Sequence, residues 1–301
     1  MQVSPQPQTA SRGRRAGGVP IARSRRAPGA GRVEQGRARA RRAESVPDRS
    51  TPAIRTNILI TGASAGLGRG MALEFAARGR NLALCARRIE LLAALRAEIA
   101  QRHPGVKVAI RELDVNDHGR VFEVFRELRD ELGGLDRIIV NAGVGRGAPV
   151  GSGHFAANKA TAETNFVAAL AQCEAALEIL RARGAGHLVT IASVAAIRGL
   201  PRYQTVYAAT KAGLASLTEG IRADLWDTPI RVSAIFPGYI ETEISSGARK
   251  RMFLVDAATG CRALVRAIER ERPKAFVPPW PWTPIAFVMR HLPLAALVRM
   301  M

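Results

Sequence analysis

From Asn57 onward, short apolar runs and helix-period patterns alternate without a break. The runs lie at Asn57–Thr61, Asn81–Ala86, Val106–Leu113, Asp136–Val140, Gly186–Ala192 and Ile230–Phe236, with a short seventh at Lys274–Val277. Helical patterns fill the gaps at Leu67–Arg78, Ile89–Arg102, Asp117–Leu132, His154–Arg183, Tyr203–Trp226 and Asp256–Glu271. Strands that are apolar at successive positions must be buried on both faces, and helices between them supply the cover. The pattern predicts an α/β fold: a doubly wound parallel sheet of about seven strands with helices on both faces. Its βα turns open at one edge of the sheet, where a ligand crevice is expected.

Three regions follow from composition. Residues 1–54 are expected to form a disordered basic tail, 55–278 a single folded domain, and 279–301 an apolar extension packing on the domain or a partner. The first 50 residues hold 12 arginines and 3 acids, and the rest of the chain holds 33 basic and 22 acidic residues, out of a net charge of +20. The tail has no aromatic residue and no hydrophobic period, so it cannot bury enough surface to offset its ordering entropy. It reads as a nucleic-acid arm, as an organelle transit peptide, or as a translated leader from a mis-assigned start, and the last reading is favoured. Nothing in the folded part suggests base recognition, so no nucleic acid is expected as a partner. The cysteines Cys85, Cys173 and Cys261 are far apart and the five histidines lack ligand spacing, which points away from a disulfide framework or metal site. A cytoplasmic protein is expected. In the ending, Pro284, Pro293, Arg290 and Arg299 interrupt the apolar pattern and argue against a spanning helix. Packing over the substrate cleft or a partner subunit is the favoured reading there, with peripheral membrane contact as its rival.

The first apolar run ends in Thr61-Gly62-Ala63-Ser64-Ala65-Gly66-Leu67-Gly68, and a helical pattern starts at once. Glycines allow a tight turn and close backbone approach. The helix start offers free N–H groups and the positive end of a dipole, which suits a pyrophosphate. About 140 residues later, Tyr207 and Lys211 sit four apart on a helical pattern, with Ser193 fourteen residues before the tyrosine. Positions i and i+4 share a helix face, so the phenol and the ammonium enter one cleft. The cation favours the phenolate, which suits the tyrosine to proton transfer near neutral pH.

These motifs resemble the classical short-chain dehydrogenase/reductase family. The likeness is carried by the glycine loop, Asp114, Asn141-Ala142-Gly143, Asn165, Ser193, Tyr207, Lys211 and Pro237-Gly238, in the family's order and spacing from about Ile54 to the mid-270s. It implies a Rossmann-type fold and an oxidoreductase that interconverts a carbonyl and an alcohol. Tyr207 would be the general acid and base and Ser193 would orient the carbonyl oxygen. Lys211 would hold the nicotinamide ribose, and Asn165 would anchor a water relay to the lysine. Gly62, Ser64, Gly66, Leu67 and Gly68 would cradle the pyrophosphate. Asp114 and Val115 would meet the adenine, while Asn141, Ala142 and Gly143 let the backbone approach adenosine. Pro237, Gly238, Ile240 and Thr242 would meet the nicotinamide carboxamide, and Glu243 to Phe253 would form a mobile lid. Helices near Asn165 and Tyr207 resemble those through which the family forms homodimers or homotetramers.

Cofactor choice rests on the end of the second strand. An acid there would accept from the ribose of NAD. Arg87 and Arg88 stand there instead and suit a 2′-phosphate, so NADP(H) is preferred over NAD(H). The substrate is a small carbonyl or alcohol, and the apolar ending hints that it is lipophilic. Two rivals stand beside this reading: a non-catalytic nucleotide-binding regulator of the same fold, and a nucleic-acid binder acting through the tail.

Overall fold

In the computed structural model, residues 54–145, 147–241 and 253–300 are described. Seven strands form one sheet: β1 Asn57–Thr61, β2 Asn81–Ala86, β3 Val108–Glu112, β4 Arg137–Val140, β5 Gly186–Ile191, β6 Ile230–Pro237 and β7 Lys274–Val277. Their order is β3-β2-β1-β4-β5-β6-β7, and every pairing is parallel. The chain runs outward from β1 to β3 and then returns to lay β4 beside β1. That reversal leaves a crevice at the carboxyl ends of β1 and β4.

The helices are α1 Gly66–Ala76, α2 Ile89–Arg102, α3 His118–Leu132, α4 Phe155–Ala162, α5 Ala168–Arg183, α6 Thr205–Asp224, α7 Ala257–Glu269, α8 Pro279–His291 and α9 Leu294–Met300. Two cores cover the two faces. Leu59, Ile138 and Leu188 point to the side packed by α3 and α5. Their neighbours Ile58, Ile60, Ile139 and Val189 point to the side packed by α1, α2 and α7. Successive residues of one strand thus feed opposite cores, which is why the strand sequences are apolar throughout.

Two differences from the sequence reading bear on the site. The pattern His154–Arg183 predicts one helix, but a π-helical turn at Glu163–Val167 splits it into α4 and α5. A residue inserted into the ladder swings one side chain inward, and here that residue is Asn165. The apolar ending folds into α8 and α9, with Pro284 tolerated inside α8. None of the described helices is long and apolar enough to cross a membrane.

The amino ends of the strands carry a buried polar chain that was not legible from spacing. Arg137 opens β4 at 1 % exposure and donates from Nε to His187 Nδ1 at 2.9 Å and from Nη2 to Glu271 Oε1 at 2.9 Å. Glu271 also takes a two-pronged ion pair from Arg55, at 2.8 and 3.1 Å. His187 Nε2 lies 2.8 Å from Ser233 Oγ. Because Nδ1 accepts from arginine, the imidazole is neutral and Nε2–H donates. Burial first, and then Arg137, Arg55 and Arg231, hold the His187 pKa well below its usual value. The 3.6 Å approach of its ring to Glu271 is therefore no ion pair.

Candidate active site

The glycine loop joins β1 to α1. Gly62 and Gly66 adopt left-handed φ values of 64° and 55°, where a Cβ would be strained. At Gly68 a side chain would collide with the Gly62 carbonyl and stand 2.8 Å from Asn141 Nδ2. Helix α1 starts with no side-chain cap and no acid in its first turn. Its leading N–H groups are left for an anion, as pyrophosphate binding requires. Thr61 Oγ1 accepts from the backbone N–H groups of Asn141 and Ala142, each at 3.0 Å. Asn141 Nδ2 donates to Thr61 O at 2.8 Å. Asn141 and Thr61 thus stitch β4 to β1 at the mouth of the crevice, and Ala142 presses on Gly62.

Lys211 lies on α6 at 5 % exposure, with Nζ donating to the Ile191 carbonyl at the end of β5 over 2.9 Å. Burial, with no carboxylate to offset it, lowers its pKa to about 8. Asn165 is fully buried. Its Oδ1 accepts from Val144 N at 2.8 Å, and its Nδ2 donates to Val144 O at 2.8 Å and to Thr210 Oγ1 at 3.4 Å. Gly143 is the point where these groups meet. A Cβ there would lie 3.0 Å from Asn165 Oδ1 and 3.4 Å from Lys211 Nζ. Ser193 caps a short turn at Val194–Ile197, its Oγ accepting from Ala195 N at 3.1 Å, so its own O–H is left to donate elsewhere. Tyr207, one turn before Lys211 on α6, is half-buried and, like Met289, packs against the cluster of Ala195, Leu200 and Ala208.

The adenosine side is less fully placed. Arg87 and Arg88 are both exposed after β2, and Arg88 Nη2 reaches Ser64 Oγ of the glycine loop at 3.3 Å. Arg87 makes no hydrogen bond or ion pair among the described residues. Asp114 does not cap the following helix, since Asp117 does that by accepting from Arg120 N at 3.1 Å. Asp114 Oδ1 instead accepts from the backbone N–H and side-chain amide of Asn116, both at 3.0 Å. Val115 is buried in the core at 7 % exposure, which leaves its backbone for any ligand contact. Leu67 packs at the core edge below the loop.

At the carboxyl end of β6, Pro237-Gly238-Tyr239 is covered by the C-terminal segment. Trp282 of α8 is 5 % exposed and stacks on Gly238 where a side chain would stand. It meets Tyr239 edge-on with ring centroids 5.2 Å apart. Ile240, 5 % exposed, bridges to Val255. Thr242 and most of the expected lid lie outside the described residues. Arg198, just past the Ser193 turn, donates to the carbonyls of Met289 and Leu292 and so ties that turn to the end of α8. The sequence reading expected the apolar ending over the substrate cleft or a partner, but had no signal that singled out Trp282 or Met289 within it. Among the described residues no His, Cys, Asp or Glu cluster could hold a metal ion.

With this geometry in hand, the comparisons decide the family. The family model described as short chain dehydrogenase matches residues 56–252. The chain belongs to that family. It is 57 % identical over 243 residues to an uncharacterized oxidoreductase of Mycobacterium tuberculosis, covering 81 % of this chain and 96 % of that one. It is 33 % identical over 196 residues to levodione reductase of Leifsonia aquatica, covering 65 % and 73 % of the two chains. The crystal structure of levodione reductase superposes with a TM-score of 0.68 at 27 % identity, covering 73 % of this chain and 95 % of that one. The protein is thus a short-chain dehydrogenase/reductase: an enzyme acting on CH–OH groups with a nicotinamide cofactor.

Proposed function

We propose that this short-chain dehydrogenase is an NADP(H)-dependent oxidoreductase that interconverts a lipophilic ketone or aldehyde and its alcohol. One observation carries the reading: the buried Lys211 ammonium, held by the Ile191 carbonyl beside Gly143, on the helix that also bears Tyr207 one turn earlier. A desolvated cation with no carboxylate partner stabilises an anion nearby, so it favours the tyrosinate over the tyrosine. Tyr207 then gives its proton to the carbonyl oxygen in reduction and takes it back in oxidation. Ser193, whose hydroxyl proton is not used in its cap, donates to the same oxygen and orients it. Lys211 also holds the nicotinamide ribose. The Asn165 amide is occupied with Val144 and Thr210. A water relay from Asn165 to Lys211 would therefore run through its main-chain carbonyl.

The residues present fit a dinucleotide. The uncapped start of α1 and the cradle at Gly62, Ser64, Gly66, Leu67 and Gly68 suit the pyrophosphate. Asp114 and the backbone of Val115 take the adenine, and Asn141, Ala142 and Gly143 leave room for adenosine. Pro237, Gly238, Ile240 and Thr242 take the carboxamide. Bound there, the cofactor would supply hydride chemistry at the carbonyl carbon. The exposed Arg87, without a protein partner among the described residues, and Arg88 at the loop rim take the 2′-phosphate, which favours NADP(H). The relative named levodione reductase is, by its name, a reductase, in line with carbonyl reduction here. The same reading places the enzyme in the cytoplasm as a homodimer or homotetramer, and three free, buried thiols fit a reducing compartment.

The test is NADPH oxidation against a panel of hydrophobic ketones, with wild type and Tyr207→Phe side by side. Wild type should turn over at least one ketone. The variant should lose about 10²–10⁴-fold in kcat while binding NADPH within about twofold of wild type. Equal inertness of both proteins across the panel, with NADPH still bound, would instead favour a non-catalytic nucleotide binder.

A further inference from the structure

Helices α6 and α8 and the outer strands β6 and β7 enclose a cavity of about 520 Å³, a size that suits a small ligand. Neither Ser193, Tyr207 nor Lys211 lines it, so it is separate from the candidate active site. Its inner surface is apolar, built largely from Ala215, Ala234, Phe236, Phe276 and Ala286. Around that surface stand three cations, Arg222, Lys274 and Arg290, and one acid, Glu219.

The Lys274 ammonium sits 4.7 Å from the ring centroid of Phe236 and 5.2 Å from that of Phe276, over ring faces rather than beside a carboxylate. Arg222 donates to the Pro273 carbonyl at 3.0 Å. Among the described residues, none of the three forms an ion pair. Desolvation first, and then the neighbouring Arg290, lower the pKa of Lys274, with Glu219 opposing and Arg222 adding to the effect. Some surface arginines are matched to acids, as in Arg69 with Glu98 and Arg120 with Glu123. Three cations gathered at the rim of a buried to half-buried apolar floor repel one another, and an anion whose apolar body covers that floor would stabilise them.

We infer that this cavity binds an apolar-bodied monoanion of the fatty-acid kind. Its carboxylate would be held by Lys274 and Arg290 and its chain laid over Phe236 and Phe276. The inference does not depend on the proposed reaction, because no catalytic or cofactor-binding residue takes part.

Calorimetric titration of the full chain, saturated with NADPH, with decanoate below its micelle concentration tests the idea. Saturable binding with one site per chain is expected. Lys274→Met keeps an aliphatic stem on the two phenylalanines and should weaken decanoate by about tenfold to a hundredfold. Arg290→Gln should weaken it in the same direction. The uncharged 1-decanol should bind wild type and Lys274→Met alike, and neither variant should change the circular dichroism. No saturable binding, or unchanged decanoate affinity in both variants, would overturn the assignment. So would decanoate that competes with NADPH. Capture of the protein by phosphatidylglycerol vesicles without decanoate binding would make the patch a lipid-surface contact and also overturn it. A dimer that Lys274→Met dissociates, again without decanoate binding, would assign the same surface to a second copy.

Discussion

The two ends of the strands handle charge in opposite ways. At the amino ends, Arg55, Arg137, Glu271, His187 and Ser233 form one buried chain in which each charged group has a partner. At the carboxyl ends, Lys211 is just as buried but has only a carbonyl oxygen, and glycines stand where side chains would fill the space. The first end is closed, and its polar groups are occupied with one another. The second keeps a cation and several backbone N–H groups uncommitted, so a ligand can complete them. Burial affects both ends. It lowers Arg137 to about 10 against the opposing pull of Glu271, and it lowers Lys211 to about 8 with nothing opposing. The unopposed shift marks the end where chemistry is expected.

The largest expected effect is at the closed end. Glu271→Ala leaves Arg137 charged, buried and unpaired, and should cost about 3–5 kcal/mol of stability. That corresponds to a Tm lower by on the order of 10 °C, with kcat of the folded fraction unchanged. A thermal scan beside an activity assay checks both, and a Tm within a degree of wild type would break the contrast.

Next comes the pH dependence of the open end. Below about pH 8 the folded and unfolded chains both carry the Lys211 charge, and the burial cost is present in full. Between about 8 and the ordinary 10.5, only the unfolded chain keeps the proton, and the cost is relieved as pH rises. Wild-type apoprotein should therefore gain up to about 3 kcal/mol on Lys211→Met across that window. Denaturant titrations at several pH values measure the difference, and a flat difference would show that the ammonium is not desolvated.

A smaller effect is expected at the cofactor rim. Arg87→Glu should lower the preference for NADPH over NADH by about 10–100-fold, the worth of a charge-assisted hydrogen bond. The ratio of the two Kd values reads it out, and an unchanged ratio would move the phosphate contact to Arg88. The smallest change tests the packing of the open end itself. Gly143→Ala crowds Asn165 and Lys211 and should cost about 1 kcal/mol in stability and a similar amount in the barrier to turnover. A stability loss with unchanged kcat/KM would separate Gly143 from the site.

Only the carboxyl-end half of this contrast is legible in the sequence, and the fold around it is legible unevenly. Strands β1, β2 and β7 begin and end where the apolar runs do, because both cores draw on successive residues. The third run was predicted from Val106 to Leu113, but β3 spans only Val108–Glu112, since its flanking apolar residues pack outside the ladder. Asp114 is expected at the adenine; the following helix is capped by Asp117 instead, and Asp114 Oδ1 accepts from Asn116. The split of the long helix at Glu163–Val167 left no trace in its period, because a single wide turn shifts the phase too little to read. The charged chain at the amino ends was missed altogether. Arg137 lies at the start of an apolar strand, and nothing in linear spacing couples it to Glu271, which is 134 residues away.

By itself, the sequence determined the element order, the parallel sheet, the glycine turn and the i, i+4 placement of Tyr207 and Lys211, since these depend on neighbours within a few turns of chain. Tertiary structure alone decided that Gly143 meets Lys211 and Asn165, that Trp282 covers Gly238, and that three cations share an apolar cavity. Those contacts join segments far apart in the chain, and their energies depend on burial and partner geometry, which the sequence does not state.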